Sequence, residues 1–227
     1  MEDPATVHDG EAVTTLRDAA RVLFSRPGPR AIAATALACW ARRALAGPPT
    51  VGDVLAAGAV AAWWPLQEWG AHRWLLHLRP RTVLGVRVDP YFARTHRAHH
   101  RDPRRVDPTL LPLRVILGAI PGSMAAFRVL VRDPRARRTA MATYATMALV
   151  YEWTHLLVHT GYRPRSAFYK RIRRNHRLHH YRNEGYWYGF TLPHVDALLG
   201  TEPDPRAVPF SPTARDLHGL HESDDAQ

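Results

Sequence analysis

His176-Arg177-Leu178-His179-His180 is a His-x-x-His-His run, and His96-Arg97-Ala98-His99-His100 repeats its pattern 80 residues earlier. Histidine supplies only 14 of the 227 residues, so two such runs are not an accident of composition. On a helix, residues three and four apart share a face while adjacent ones diverge by about 100°. The first and last histidines of each run therefore lie together and the middle one points aside. A single run can in this way serve two neighbouring cations.

Four more histidines extend the pattern. His155 and His159 are four apart and share a helical face. His72 and His77 are five apart, about 140° around an ideal helix, so the helix must end, bend or bulge there for both to join one cluster. Ten imidazoles are too many for one ion that keeps a position open, whereas about five nitrogens for each of two first-row ions is a sound match. So many neutral imidazoles beside apolar segments need a cation to offset their desolvation. Cys39, the single cysteine, excludes a disulfide framework and a thiolate-rich metal site.

Glu68 precedes His72 by one helical turn and Glu152 precedes His155 by three residues, offsets from which a carboxylate can orient an imidazole through its non-ligating nitrogen. An ion pair with Arg73 is the competing role for Glu68. His8, His218 and His221 read as solvated residues of polar terminal segments. For His194, after Pro193, a structural role is favoured over one beside the metal or substrate.

A net charge of +11 would ordinarily point to nucleic acid or an anionic membrane. The arginines flank apolar segments without forming a recognition helix or stacking platform, which disfavours nucleic acid. Residues 1–15 read as a disordered lead without a secretory signal, and residues 16–25 as an amphipathic helix stopped by Pro27-Gly28-Pro29. Apolar helices follow at 31–46, 51–66, 110–131 and 139–158, the third interrupted by Pro112 and Pro121 and the fourth the cleanest.

These features predict an all-α, integral-membrane helical bundle of about four membrane helices carrying a cytoplasmic, histidine-rich helical cap. The alternative, a soluble bundle with Ala-rich core helices, draws on the mean hydropathy of −0.30, which arginine-rich loops depress. The chain divides into a polar lead and short helix (1–29), a membrane domain (30–205) and a polar tail (206–227). Basic connections at 73–105 and 163–182 put the histidines on the cytoplasmic side of the cytoplasmic membrane. The arginines at 132–138 conflict with that topology, unless helices three and four enter without fully crossing.

Taken in order, His72-x4-His77, His96-x2-His99-His100, His155-x3-His159 and His176-x2-His179-His180, followed by Asn183, Tyr188-Gly189, Asp196 and Gly200-Thr201, resemble the fatty acid hydroxylase and sterol desaturase superfamily of membrane histidine-box oxygenases. The resemblance covers roughly residues 64–205. It extends to bacterial carotene ring hydroxylases, although the segment from Gly189 to Asp196 looks closer to the fatty acid and sterol branch, with His194-Val195 where an aromatic often precedes the aspartate.

The resemblance implies two iron ions per chain, for which zinc can substitute in a structure, and O2-dependent hydroxylation or desaturation of a lipid C–H bond of fatty acid or sterol type. It implies the ten histidines as ligands, with no catalytic residue beyond them, and Glu68, Glu152, Asn183, His194 and Asp196 around them. No dinucleotide fingerprint is visible, so an external electron donor is expected, a ferredoxin or b-type cytochrome with its reductase. The arginine-rich face would dock that partner or hold lipid headgroups. A carotenoid ring hydroxylase, a non-enzymatic membrane metal-binding or transport protein and a bis-histidine haem cytochrome are the competing readings.

Overall fold

Pro27 starts a helix instead of stopping one. In the computed structural model, which describes residues 9–220, α1 (Leu16–Ser25) gives way at Arg26 to α2 (Pro27–Ala44). Proline is well placed in a first turn, where its missing N–H would have had no partner. A turn at Gly47 leads to α3 (Val51–Gly70), opened by a capping box between Thr50 and Asp53. The helix runs through Pro65 and changes into a π turn at Ala71–Leu76. Of the end, bend or bulge that the five-residue spacing of His72 and His77 calls for, the fold has the bulge, since i→i+5 bonding adds a residue to the turn.

After α4 (Tyr91–Arg101) and α5 (Val106–Thr109), α6 (Leu113–Leu130) is continuous through Pro121, and Pro112 sits at its N-cap. The Asp133 carboxylate caps the start of α7 (Pro134–His159) by accepting from the Ala136 N–H at 2.7 Å. α7 is the centre of the bundle, packed on α1, α2, α3, α5 and α6. Its buried Ala136, Ala140, Ala142 and Ala145 have little side chain to hold neighbouring helices away.

Among the described residues one helical stretch, Val106–Leu130, is long and apolar enough to cross a membrane. It is the stretch whose prolines marked it as broken. Ile116 is the only buried residue of α6, and Leu117, Met124, Val129 and Leu130 face outward. α2, α3 and α7 each carry charged side chains, among them Arg43, Asp53 and Glu152, but these are buried inside the bundle.

Arg43 and Asp53 lock the end of the bundle remote from the histidines. Their side chains meet at 2.5 Å, both buried, and Arg43 also donates to Thr139 and to the Gly47 carbonyl, each at 2.8 Å. Removing one partner strands the other without water. Arg43→Met is expected to cost about 3–5 kcal/mol of stability, read as a lowered denaturation midpoint. A change below about 1 kcal/mol would mean that water reaches Asp53.

The opposite end carries the cap: α4, α8 (Ala167–Tyr181), α9 (His194–Leu198) and a two-stranded antiparallel hairpin, β1 (Arg81–Val83) and β2 (Val86–Val88), that the all-α expectation lacked. Leu84 and Gly85, both with positive φ, make its two-residue turn. The described part of the lead is packed, not loose. The Gly10 N–H donates to the Arg104 carbonyl at 3.0 Å, and a Cβ there would lie 2.6 Å from that oxygen. The tail also differs from expectation, since Val208, Ala214 and Leu217 are buried against the cap. His8 and His221 lie outside the described residues.

Candidate metal centre

The ten histidines gather in two groups of five. His72, His77, His96, His100 and His179 form one, and His99, His155, His159, His176 and His180 the other, with the candidate ligand atoms within 4.8 Å of one another in each. Each His-x-x-His-His run is shared between the groups. The outer members of the first run join one group and its middle member the other, and the second run does the reverse. The His100 and His180 rings, with centroids 4.2 Å apart, connect the two groups.

Backbone carbonyls fix several of the rings. His72 Nδ1 lies 2.7 Å from the Tyr188 carbonyl, His179 Nδ1 2.7 Å from that of Tyr186, and His100 Nδ1 2.8 Å from that of Ala214. A carbonyl only accepts, so each Nδ1 carries the proton and each Nε2 presents a lone pair inward. His99 is held similarly. The Thr109 hydroxyl donates to the Arg105 carbonyl at 2.7 Å and accepts from His99 Nδ1 at 3.2 Å.

The Nε2 atoms of His72, His77, His99 and His179 are buried without a hydrogen-bond partner. Nearby, His176 Nε2 lies 2.8 Å from His159 Nε2 and 3.0 Å from His180 Nε2. Converging buried imidazole nitrogens, several of them without a hydrogen-bond partner, are what a transition-metal ion requires, so this donor set fits a pair of such ions.

Burial, followed by neighbouring imidazoles, holds His96, His99, His176 and His180 well below the usual imidazole range, and burial brings His100 down to about 3. The rings are therefore neutral, the form that binds metal. Below about pH 6.5 the unfolded chain takes up protons that these native rings refuse, so their stability contribution is complete above that pH and declines as pH falls. Metal-free protein is expected to melt at progressively lower temperature from about pH 6.5 to about pH 5. A flat profile would contradict neutral buried rings.

The carboxylates work at one remove from the imidazoles. Glu68 accepts from the Phe190 and Thr191 N–H groups at 2.7 and 2.9 Å, from the Thr191 hydroxyl, and from Trp64 Nε1 at 3.2 Å. Asp196 accepts from the Tyr188 and Gly189 N–H groups at 2.9 and 2.7 Å and from the Thr201 hydroxyl at 2.7 Å. Two acids thus grip four consecutive amides, 188–191, in the segment whose Tyr188 carbonyl orients His72. Burial lifts the Asp196 carboxyl to about 6. Gly189 permits the grip, because a Cβ there would lie 2.5 Å from Val195 Cγ1.

Neither helical carboxylate hydrogen-bonds an imidazole as the spacing suggested. Glu152 accepts from the Leu111 N–H at 3.2 Å, while Arg73 lies over the Trp69 ring and not on Glu68. A helical offset shows which side a carboxylate faces but not which loop returns to meet it. Asn183 closes the turn after α8, accepting from the Gly185 N–H at 2.9 Å and donating to the Pro209 carbonyl at 3.2 Å. His194 is exposed. His218, expected to be solvated, is partly buried with Nε2 2.9 Å from the His77 carbonyl. Thr109 and the tail around Ala214 had no signal in the histidine spacing.

Residues 57–201 match the profile described as fatty acid hydroxylase. The chain is 26% identical over 169 residues to the Arabidopsis thaliana dihydroceramide fatty acyl 2-hydroxylase FAH2, across 70% of this chain and 65% of that protein. It therefore spans a little under two thirds of that relative's length. Its fold is similar to that of full-length scs7p, of which only the hydroxylase domain is visible, with a TM-score of 0.66 and 21% identity over 81% of this chain and 68% of that one.

Proposed function

Because the chain belongs to the fatty acid hydroxylase family, we propose that it hydroxylates a C–H bond in the acyl chain of a membrane lipid, using two iron ions held by the ten clustered histidines. The observation that carries this reading is an apolar cavity of about 430 Å3 between α2, α3, α6 and α7, which ends on His72. When bound, iron supplies the activation of O2 that imidazole alone cannot provide.

The protein's own residues position the substrate and keep the site dry. Phe92, Leu111, Val115 and Leu76 wall the cavity beside His72 with side chains that offer nothing to water and fit a methylene chain. Phe190 stacks on His155, with ring centroids 4.8 Å apart, and shields it. Tyr188, Tyr186 and Ala214 hold their imidazoles in one tautomer through their carbonyls, so the inward nitrogens need no rearrangement to receive metal.

Electrons come from a separate ferredoxin or b-type cytochrome with its reductase, whose acidic surface suits the arginines of the cap. The cap lies on the cytoplasmic side and the apolar helices lie in the membrane. The clustering of histidines at one end of the bundle is poor geometry for a conduit, which disfavours transport.

Mass spectrometry of lipid extracts from cells with and without the protein tests the reading. Hydroxylated acyl chains are expected only when protein, iron and O2 are all present. An unchanged lipid profile with iron-loaded protein would overturn it, and a Soret band in the purified protein would replace it with haem chemistry.

A further inference from the structure

The apolar cavity does not stop in the middle of the bundle. A second cavity, of about 600 Å3, abuts its far end, and Thr35, Cys39, Ile120, Met124 and Met141 line both. Two of these shared walls are methionines, which repack easily around a flexible guest. The second cavity opens among Arg42, Arg128, Arg137 and Arg138. Arg42, Arg128 and Arg138 are exposed, and Arg137 donates to the Val131 carbonyl at 3.2 Å. Among the described residues no carboxylate pairs with any of the four. The only acid nearby in sequence, Asp133, is engaged with the Ala136 N–H.

Only one of the two ends is basic. No arginine or lysine lines the cavity that ends on His72, and its one acidic lining residue, Glu68, lies at that end. From Val115 to Arg128 along α6 is 13 residues, a rise of about 20 Å. In a hydrocarbon core of about 30 Å each of the two layers of chains reaches about 15 Å in its partly folded bilayer form, so a long acyl chain has to be extended to span that distance.

We propose that Arg42, Arg128, Arg137 and Arg138 hold the anionic head of a long-chain amphiphile, carboxylate or phosphate, whose tail threads both cavities to the histidine centre. The carbon presented for oxidation is then in the half of the chain remote from the acid group. This rests on the hydroxylase reading for its chemistry but not for the binding itself. Guanidinium forks match both kinds of head, and the exposed mouth admits them from the membrane surface remote from the histidines.

Cys39, the chain's only cysteine, lies where the cavities meet and reports occupancy without metal or turnover. Full-length protein in neutral-lipid nanodiscs is treated with a maleimide in the presence of stearate, octadecyl phosphate or octadecanol. At least one of the two anions is expected to protect Cys39 at about ten-fold lower concentration than the alcohol. Arg42→Gln/Arg128→Gln/Arg137→Gln/Arg138→Gln is expected to abolish the difference while retaining metal content. If that variant does not fold, the Arg128→Gln/Arg138→Gln pair is expected to reduce it.

Equal protection by all three probes in the unaltered protein, or a preference that survives the substitutions, overturns the proposal. In the iron-loaded protein, tandem mass spectrometry should find the hydroxyl in the distal half of the stearoyl chain, and a hydroxyl beside the carboxylate would also overturn it. Anion-selective protection without any oxidation supports this site and sinks the hydroxylase reading alone. Oxidation without anion selectivity does the reverse.

Discussion

His99→Ala is expected to remove metal from the group containing His155, His159, His176 and His180, while the group containing its own sequence neighbours His96 and His100 keeps its ion. His179→Ala should do the converse. The crossing follows from the way each His-x-x-His-His run divides its nitrogens between the two groups. Elemental analysis should fall from about two ions per chain to about one in either variant, and lipid oxidation should fall by more than about 100-fold. Truncating one imidazole of ten is expected to leave the helical bundle intact, so membrane insertion should be unchanged. Unaltered iron content with full activity in both variants would refute the assignment of these histidines.

The second large effect is expected at Asp196, which touches no imidazole. Its two oxygens accept from the Tyr188 and Gly189 amides and from Thr201, and the Tyr188 carbonyl fixes His72. Asp196→Asn puts an amide donor against one of these donors. A buried N–H left unpaired costs about 1–3 kcal/mol, and disturbing the group that orients a metal ligand typically costs about 10–100-fold in affinity. Chelator competition on purified protein measures the affinity and thermal melting the stability. A variant that melts early but binds metal as tightly as before would show that the Tyr188 carbonyl keeps its aim without the carboxylate.

The histidine groups were legible in the sequence because helical periodicity translates spacing directly into direction. Even the exception was readable: five residues between His72 and His77 required an irregular turn, and a π turn is there. The acids were visible as candidates but not their partners, since Phe190 and Thr191 reach Glu68 from more than a hundred positions away and Leu111 reaches Glu152 from 41. The fixing of His72, His100 and His179 left no trace because backbone carbonyls do it, and any residue type supplies one. The rank of the apolar stretches was less legible: 139–158 read as the cleanest and 110–131 as broken, whereas in the fold α7 faces its neighbours and α6 faces outward.

The partner of His100 is the carbonyl of Ala214, 34 positions beyond the last ligand candidate, His180. During synthesis all ten imidazoles leave the ribosome well before the segment that steadies one of them. A nascent chain arrested shortly after residue 180 would therefore carry every nitrogen but a loosely aimed His100, and its affinity for added metal is expected to be lower than that of the full chain. The aim of His100 thus waits on translation of a stretch that contributes none of the ten imidazoles.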